Sequence, residues 1–264
     1  MSESNRVLIL QYTPQCSGLG DFMRAAGSLK HFCSTNNIKF YLDITNHMGT
    51  LFDYDRYTGS TDGFITFKCK NDGKRFNEIM ESLSKSSDSA IISTNCIWSG
   101  SWIGLDDYVH SLHTVFSPNT AIIEKHNTLL ETHKLEKNKY NCIQIRYGDI
   151  VLLGRKWDDR CGRSHKSVEE RIDMILAAIP NKEYPTVLIT DNYEAKLQLA
   201  EKYTFRYFNV RPVHITHTND THGIEQTIQE FLTLTESAGI FAVSSSGFAK
   251  WAAVYGGKPY MCAQ

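Results

Sequence analysis

Long apolar runs are missing from this sequence. No window approaches the roughly 20 consecutive apolar residues that a membrane-spanning helix needs, so no membrane span is expected. The opening stretch, MSESNRVLILQY, holds nothing of signal-peptide length. Net charge is nearly absent too: 28 Lys and Arg stand against 29 Asp and Glu, leaving −1 at pH 7. Such a balance argues against a protein built to neutralise nucleic-acid phosphates, and no nucleic-acid partner is expected. It still allows a local basic pocket for one small phosphate compound. Cysteine pairing signals are lacking. Cys16, Cys33, Cys69, Cys96, Cys142, Cys161 and Cys262 are odd in number and contain no CxxC, and several sit in apolar runs. Buried free thiols in a reducing compartment are the simplest reading. The expected location is therefore the cytoplasm, that of the host cell for a viral protein.

What is present is the composition of a folded chain. With 264 residues, 41% hydrophobic and 22% charged, disorder, collagen and coiled coil are excluded. The length suits one large domain or two of roughly 100–150 residues. The pattern is an alternation of strands and helices. Val7–Tyr12 reads as a buried parallel strand, a glycine-bearing turn follows, and a helix runs from Asp21 to about Cys33. Ile38–Asp43 completes a βαβ unit. A short strand at 64–67, a helix at 75–84, a strand at 90–94 and helices near 106–116 and 119–133 follow. The charged segment His133–Lys139 reads as a linker. The alternation then restarts. Asn141–Arg146 is a strand, and Ser167 with Glu170 forms a capping box on a helix through Ile179. Thr186–Thr190 is a strand and about 193–202 and 224–237 are helices. Strand 239–244, helix 248–255 closed by Gly256-Gly257, and an extended piece at 258–261 finish the chain. The expected architecture is α/β, two Rossmann-like domains facing a central cleft, with boundaries at 1–135 and 140–264.

In open α/β sheets, ligands gather outside the carboxyl ends of the strands and against helix N-termini. Four stretches fall there. Gly18-Leu19-Gly20-Asp21 lets backbone N–H groups approach a phosphate or sugar, or is only a tight turn with a helix-starting carboxylate. It lacks the Gly-Lys-Ser/Thr ending of a P-loop, so it does not support NTP hydrolysis. Gln144-Ile145-Arg146-Tyr147-Gly148-Asp149 ends a buried strand in a guanidinium. That group suits a diphosphate, and Asp149 is placed to hold it. Asp191 ends a second strand. Ser244-Ser245-Ser246-Gly247 opens a helix carrying Lys250, either an anion site or plain capping.

Other features favour bland readings. Asp53-Tyr54-Asp55 has a DxD pattern, but no buried strand precedes it, so a solvated loop is expected. Asp158-Asp159 is a second acidic pair. His214, His217 and His222 lack a HExxH frame or nearby cysteines, so no metal site is expected. His110 and His113 read as ordinary helix-surface residues. Trp98, Trp102 and Tyr108 suit either sugar stacking or a core.

The ordered set of stretches resembles a known family. Ser17-Gly18-Leu19-Gly20-Asp21-Phe22 is similar to the glycine-rich opening of the α1,2/α1,6- and protein-O-fucosyltransferase superfamily. Gln144–Asp149 resembles its His-x-Arg-Arg-Gly-Asp motif, and Thr190-Asp191 and Glu230…Ser245-Ser246 resemble later ones. Gln144, Tyr147, Asp21 and Glu230 depart from the family residues, which are His, Arg, Asn and Asp. The Gly-x-Gly-Asp opening and Ser246–Ala253…Gly257-Lys258-Pro259 also resemble heptosyltransferases, in which the acidic residue after the turn acts as base.

The resemblance implies a GT-B fold with an acceptor-side first domain and a nucleotide-sugar-binding second domain. It implies metal-independent, inverting transfer from a nucleotide diphosphate sugar to a glycan hydroxyl, with no cofactor. GDP-fucose is the implied donor, and xylose or another sugar on UDP or GDP stays open. Asp21 is expected as base and Arg146 as the group that neutralises the departing diphosphate. Gly18, Gly20, Asp149, Asp191, Glu230, Ser245, Ser246, Gly247 and Lys250 are expected around the donor. The alternatives are a non-catalytic nucleotide-sugar or glycan binding protein on the same scaffold, and a metal-dependent transferase using Asp53 and Asp55.

Overall fold

A computed structural model of the protein describes residues 6–13, 18–98, 105–148, 161, 164–215 and 218–263. The chain divides into two compact units, Met1–Asn119 and Thr120–Gln264.

In the first unit, β1 (Val7–Gln11), α1 (Leu19–Thr35) and β2 (Lys39–Asp43) form the expected βαβ. After a two-residue β3 (Phe52–Asp53) come β4 (Ile65–Cys69), α2 (Gly73–Lys85), β5 (Ala90–Thr94), α3 (Leu105–Val115) and β6 (Ser117–Pro118). The sheet order is β2-β1-β5-β4, with every pairing parallel. The apolar residues of β1 are buried on both faces, which is why the strand reads as a continuous hydrophobic run. Helix α1 lays Phe22, Met23, Leu29 and Phe32 into the core at 0–1% exposure. Each contributes roughly 1.5–3 kcal/mol of burial. Gly27 is glycine for a packing reason: a Cβ there would lie 2.7 Å from the Tyr108 ring of α3. Trp98 packs edge-on against Phe32 at 5.0 Å and donates its backbone N–H to Ser28 Oγ at 2.8 Å. Tyr108 is a core residue, Trp98 is half-buried, and Trp102 lies outside the described residues. The antiparallel pair β3–β6 was not expected. Two-residue strands are too short to show a period.

The second unit opens with α4 (Thr120–Thr132), followed by β7 (Asn141–Ile145), α5 (Val168–Ala178), β8 (Thr186–Thr190), α6 (Tyr193–Tyr203), α7 (Thr221–Thr235), β9 (Gly239–Ala242), α8 (Gly247–Gly256) and β10 (Tyr260–Cys262). Its sheet, again all parallel, is ordered β10-β9-β7-β8. An extended piece at Arg206 continues it beyond β8, since Arg206 N–H donates to Thr186 O and Leu188 N–H to Arg206 O. The capping box stands as read: Ser167 Oγ accepts from Glu170 N–H at 3.1 Å and Glu170 Oε2 from Ser167 N–H at 2.6 Å. Gly257 closes α8 in the left-handed region at φ +61°. The division at Asn119 falls before the polar segment 133–139, because α4 packs on α7.

Glu236, just past α7, ties both α4 and that polar segment to the second unit. It meets buried His126 Nε2 at 3.1 Å and Lys137 Nζ at 2.7 Å. Burial pushes its carboxyl up, but the His126 and Lys137 bonds outweigh burial, and the net shift is downward. A carboxyl lowered on folding stabilises above its unfolded titration range, and that contribution disappears as pH falls through the lower folded value. Glu236→Gln should cost about 1–3 kcal/mol at pH 7. It should also lose less stability than the native chain between pH 7 and 4, as read by denaturant unfolding.

Candidate functional site

The carboxyl end of each sheet carries a polar cluster. In the first unit, Gly18 is the N-cap of α1, with no side-chain cap, and Phe22 N–H bonds its carbonyl at 3.0 Å. Asp21 therefore does not cap the helix. It sits in the first turn, where the helix dipole favours an anion, with its side chain 36% exposed and 3.3 Å from Arg24. Arg24 also donates to Asn95 O at 2.6 Å, just beyond β5. The Asn95 side chain in turn pairs with Asn71 beyond β4, at 2.9 Å to its N–H and 2.7 Å to its Oδ1. Asn71 is held at φ +58°, a left-handed position that Asn tolerates. Arg24, Asn71 and Asn95 were not foreseen. Arg24 was visible as an i,i+3 partner of Asp21, whereas the asparagines meet only in the folded sheet. Gly20 is buried in the same first turn.

In the second unit the cluster centres on Arg146, the residue that follows β7. Its Nη1 donates to Asp191 Oδ2 at 2.6 Å. The carboxylate of Asp191, 7% exposed at the end of β8, also accepts from Tyr147 N–H at 2.7 Å and Gly148 N–H at 2.9 Å. Gly148 adopts φ +104°, a backbone state glycine reaches without cost. Burial pushes the Asp191 carboxyl above its ordinary value, against the pull of Arg146 and the two N–H groups. Ser244 locks the backbone of Arg146 from the next strand: Oγ accepts from Arg146 N–H at 2.9 Å and donates to Arg146 O at 2.7 Å. The guanidinium is thus held by the Asp191 carboxylate on a backbone tied to both neighbouring strands. That arrangement can present fixed positive charge to an anion at the sheet edge.

The remaining expected residues separate by burial. Ser245 and Gly247 are exposed at the start of α8, and so is Lys250 in its first turns. Ser246 is buried, and its Oγ accepts from Ala249 N–H at 3.4 Å, the bond of a helix cap. Glu230 lies inside, 2.9 Å from a fully buried Lys196. Burial pushes its carboxyl up against the pull of Lys196. Asp149, Asp158, Asp159 and His217 lie outside the described residues. Arg171, at 2% exposure, was not foreseen. It donates to Val243 O at 2.8 Å, Cys161 O at 3.2 Å and Ser167 O at 3.2 Å, joining Cys161 to the end of β9. A lone arginine in an otherwise ordinary amphipathic helix gave no sign of that role.

Asp53 and Asp55 are exposed and line an open hollow of about 520 Å³ with Arg56 and Thr114. Among the described residues, no three His, Cys, Asp or Glu side chains come together as a metal site. No helix of the described residues is long and apolar enough to cross a membrane.

No family model and no curated protein matches the chain. Solved structures do. NodZ α-1,6-fucosyltransferase, soaked with GDP-fucose, is similar at a TM-score of 0.63 with 14% identity, over 95% of this chain and 92% of that one. The enzyme in a related structure is from Bradyrhizobium. A variant of Arabidopsis thaliana FUT1 in complex with GDP gives a TM-score of 0.62 with 12% identity, over 97% of this chain and 70% of that one. POFUT1 in complex with GDP-fucose gives 0.53 with 7% identity, over 99% of this chain and 98% of that one. With two α/β units, each built on a four-stranded parallel sheet, in the chain order read from the sequence, the protein has the GT-B fold of these fucosyltransferases.

Proposed function

We propose that the protein is a metal-independent, inverting glycosyltransferase that moves a sugar from a nucleoside diphosphate sugar to a glycan hydroxyl. The observation that carries this reading is Arg146, fixed at the carboxyl end of β7 by buried Asp191 and by Ser244. A guanidinium so held neutralises the charge that grows on a departing diphosphate without having to reorganise. Ser245, Gly247 and Lys250 offer hydroxyl, N–H and ammonium donors at the exposed start of α8, in the same unit. Asp21 is the assigned base, taking the acceptor hydroxyl proton as the oxygen attacks the anomeric carbon. Gly18 and Gly20 shape the turn that presents it, and Asp149 is retained as a donor-side residue. GDP-fucose is the first donor to try, because structurally similar fucosyltransferases are seen with GDP-fucose and GDP. The described cysteines are free thiols, which supports the cytoplasm as the working compartment.

The test has two steps. In a thermal-shift screen of GDP-, UDP- and ADP-sugars, the true donor at 100 times its dissociation constant should add about 2.7 kcal/mol of stability. Nucleotide release with glycan acceptors, in excess EDTA, should then proceed undiminished. A shift with no release in any acceptor mixture would make the protein a binder on the same scaffold. Release abolished by EDTA would return attention to Asp53 and Asp55. No shift with any donor would remove the proposal.

A further inference from the structure

An exposed i,i+3 ion pair on a helix adds little by itself, because both side chains swing freely and water screens them. The pair Asp21–Arg24 in α1 is of another kind, since its arginine is held at both its head and its backbone. Arg24 Nη2 donates to Asn95 O at 2.6 Å. Asn95, at 4% exposure just past β5, is fixed in turn by two side-chain bonds to Asn71, past β4. From α3 the Tyr108 hydroxyl donates to Arg24 O. The guanidinium therefore has its place set by β4, β5 and α3 before it meets Asp21 Oδ1 at 3.3 Å.

Stability alone does not call for that placement. Arg24 Nε is buried and donates to no acceptor among the described residues, and a buried donor left unpaired is a cost. The segment leaving β5 already has another tie to α1, one turn on, where Ser28 Oγ accepts from Trp98 N–H at 2.8 Å. What the arrangement achieves is a cation at a fixed point beside the carboxylate assigned as base.

We infer that Arg24 is the positioning residue for Asp21. It holds the carboxylate in one orientation at the carboxyl end of the first sheet, so that an acceptor hydroxyl meets a base already in place. Proton abstraction needs an oxygen within about 2.6–3.2 Å of the hydroxyl, and a small displacement takes it out of reach. Asn95 and Asn71 act one step further back, by placing Arg24. The inference rests on the reading of Asp21 as base and adds the residues that set its position.

The test compares the native chain with Asp21→Asn, Arg24→Met and the double variant. The donor is whichever GDP-, UDP- or ADP-sugar gives the native chain its largest thermal shift, and the readout is nucleotide release with a mixture of neutral oligosaccharides. The Arg24 side chain is 31% exposed, and methionine fills the space of its stem, so Arg24→Met should fold and keep the donor-induced shift. Its kcat should fall about tenfold or more, with the KM for donor unchanged. Asp21→Asn should lower kcat about 100-fold or more. In the Asp21→Asn background, Arg24→Met should add no further loss, because a residue that acts through Asp21 has nothing left to place. Arg24→Lys keeps a cation and should lose less than Arg24→Met; it carries the same comparison if the methionine variant does not fold. Native kcat in Arg24→Met, with kcat lost in Asp21→Asn, overturns the inference and leaves the base standing. An undiminished further loss in the double variant, or a lost thermal shift in Arg24→Met, gives Arg24 a role apart from Asp21 and overturns it as well. Native turnover in Asp21→Asn, or none in the native chain, removes the base and the inference together.

Discussion

Arg146→Ala should lower turnover on the order of 100-fold or more, the effect expected when a preorganised transition-state charge partner is removed. The loss should appear mainly in kcat, because charge accumulates on the diphosphate as its bond to the sugar breaks. Arg146→Lys should recover little of it, since an ammonium cannot reproduce the planar fork. A structural cost accompanies the change and can be measured separately. The substitution leaves Asp191 buried without its guanidinium and held by backbone N–H groups, Tyr147 and Gly148 among them, which should cost about 1–3 kcal/mol of stability. Asp191→Asn tests the same unit from the other side. It keeps an acceptor for one N–H, sets an amide donor against Arg146, and should lower kcat with less effect on stability. Steady-state donor turnover beside denaturant unfolding separates the two consequences. Near-native turnover in Arg146→Ala would remove this residue from the chemistry.

What could be read before folding follows from how far apart the interacting groups lie. Strands β1, β5, β7 and β8 are apolar runs bounded by turns, and the Ser167–Glu170 box and Gly257 cap are local signals, so all stood in the sequence. Arg146 was visible as a charge ending a buried strand, but its bond to Asp191, 45 residues away, was not. Asp149, three residues on, was the nearest carboxylate in the sequence, and it lies outside the described residues. Parallel β7–β8 pairing brings the two strand ends together, with Ile145 opposite Thr190. Ser244 meets Arg146 across 98 residues for the same reason, through β9. Glu230 was picked out for ligand contact through its resemblance to a family motif. Only the fold reveals Lys196 beside it, and with it a role in holding backbone.

That interior pair makes a second large effect testable. Lys196→Met removes the ammonium and leaves Glu230 charged and unpartnered inside, which should destabilise the second unit by about 3–5 kcal/mol. Lys196→Met combined with Glu230→Leu removes both charges together and should restore most of that stability, because the desolvation cost vanishes with the attraction. If the pair served stability alone, the double variant would be native in every respect. The geometry argues otherwise, since neither methionine nor leucine can donate to Val210 O and Phe208 O. The segment carrying Asn209 and Arg211 then loses its anchor while the core stays packed. The double variant should therefore fold with near-native unfolding free energy, while the backbone amides of residues 208–211 exchange with solvent faster than in the native chain. Native exchange rates in that background would show that residues 208–211 are held by other means. A single variant as stable as the native protein would show that the buried ammonium carries no structural weight.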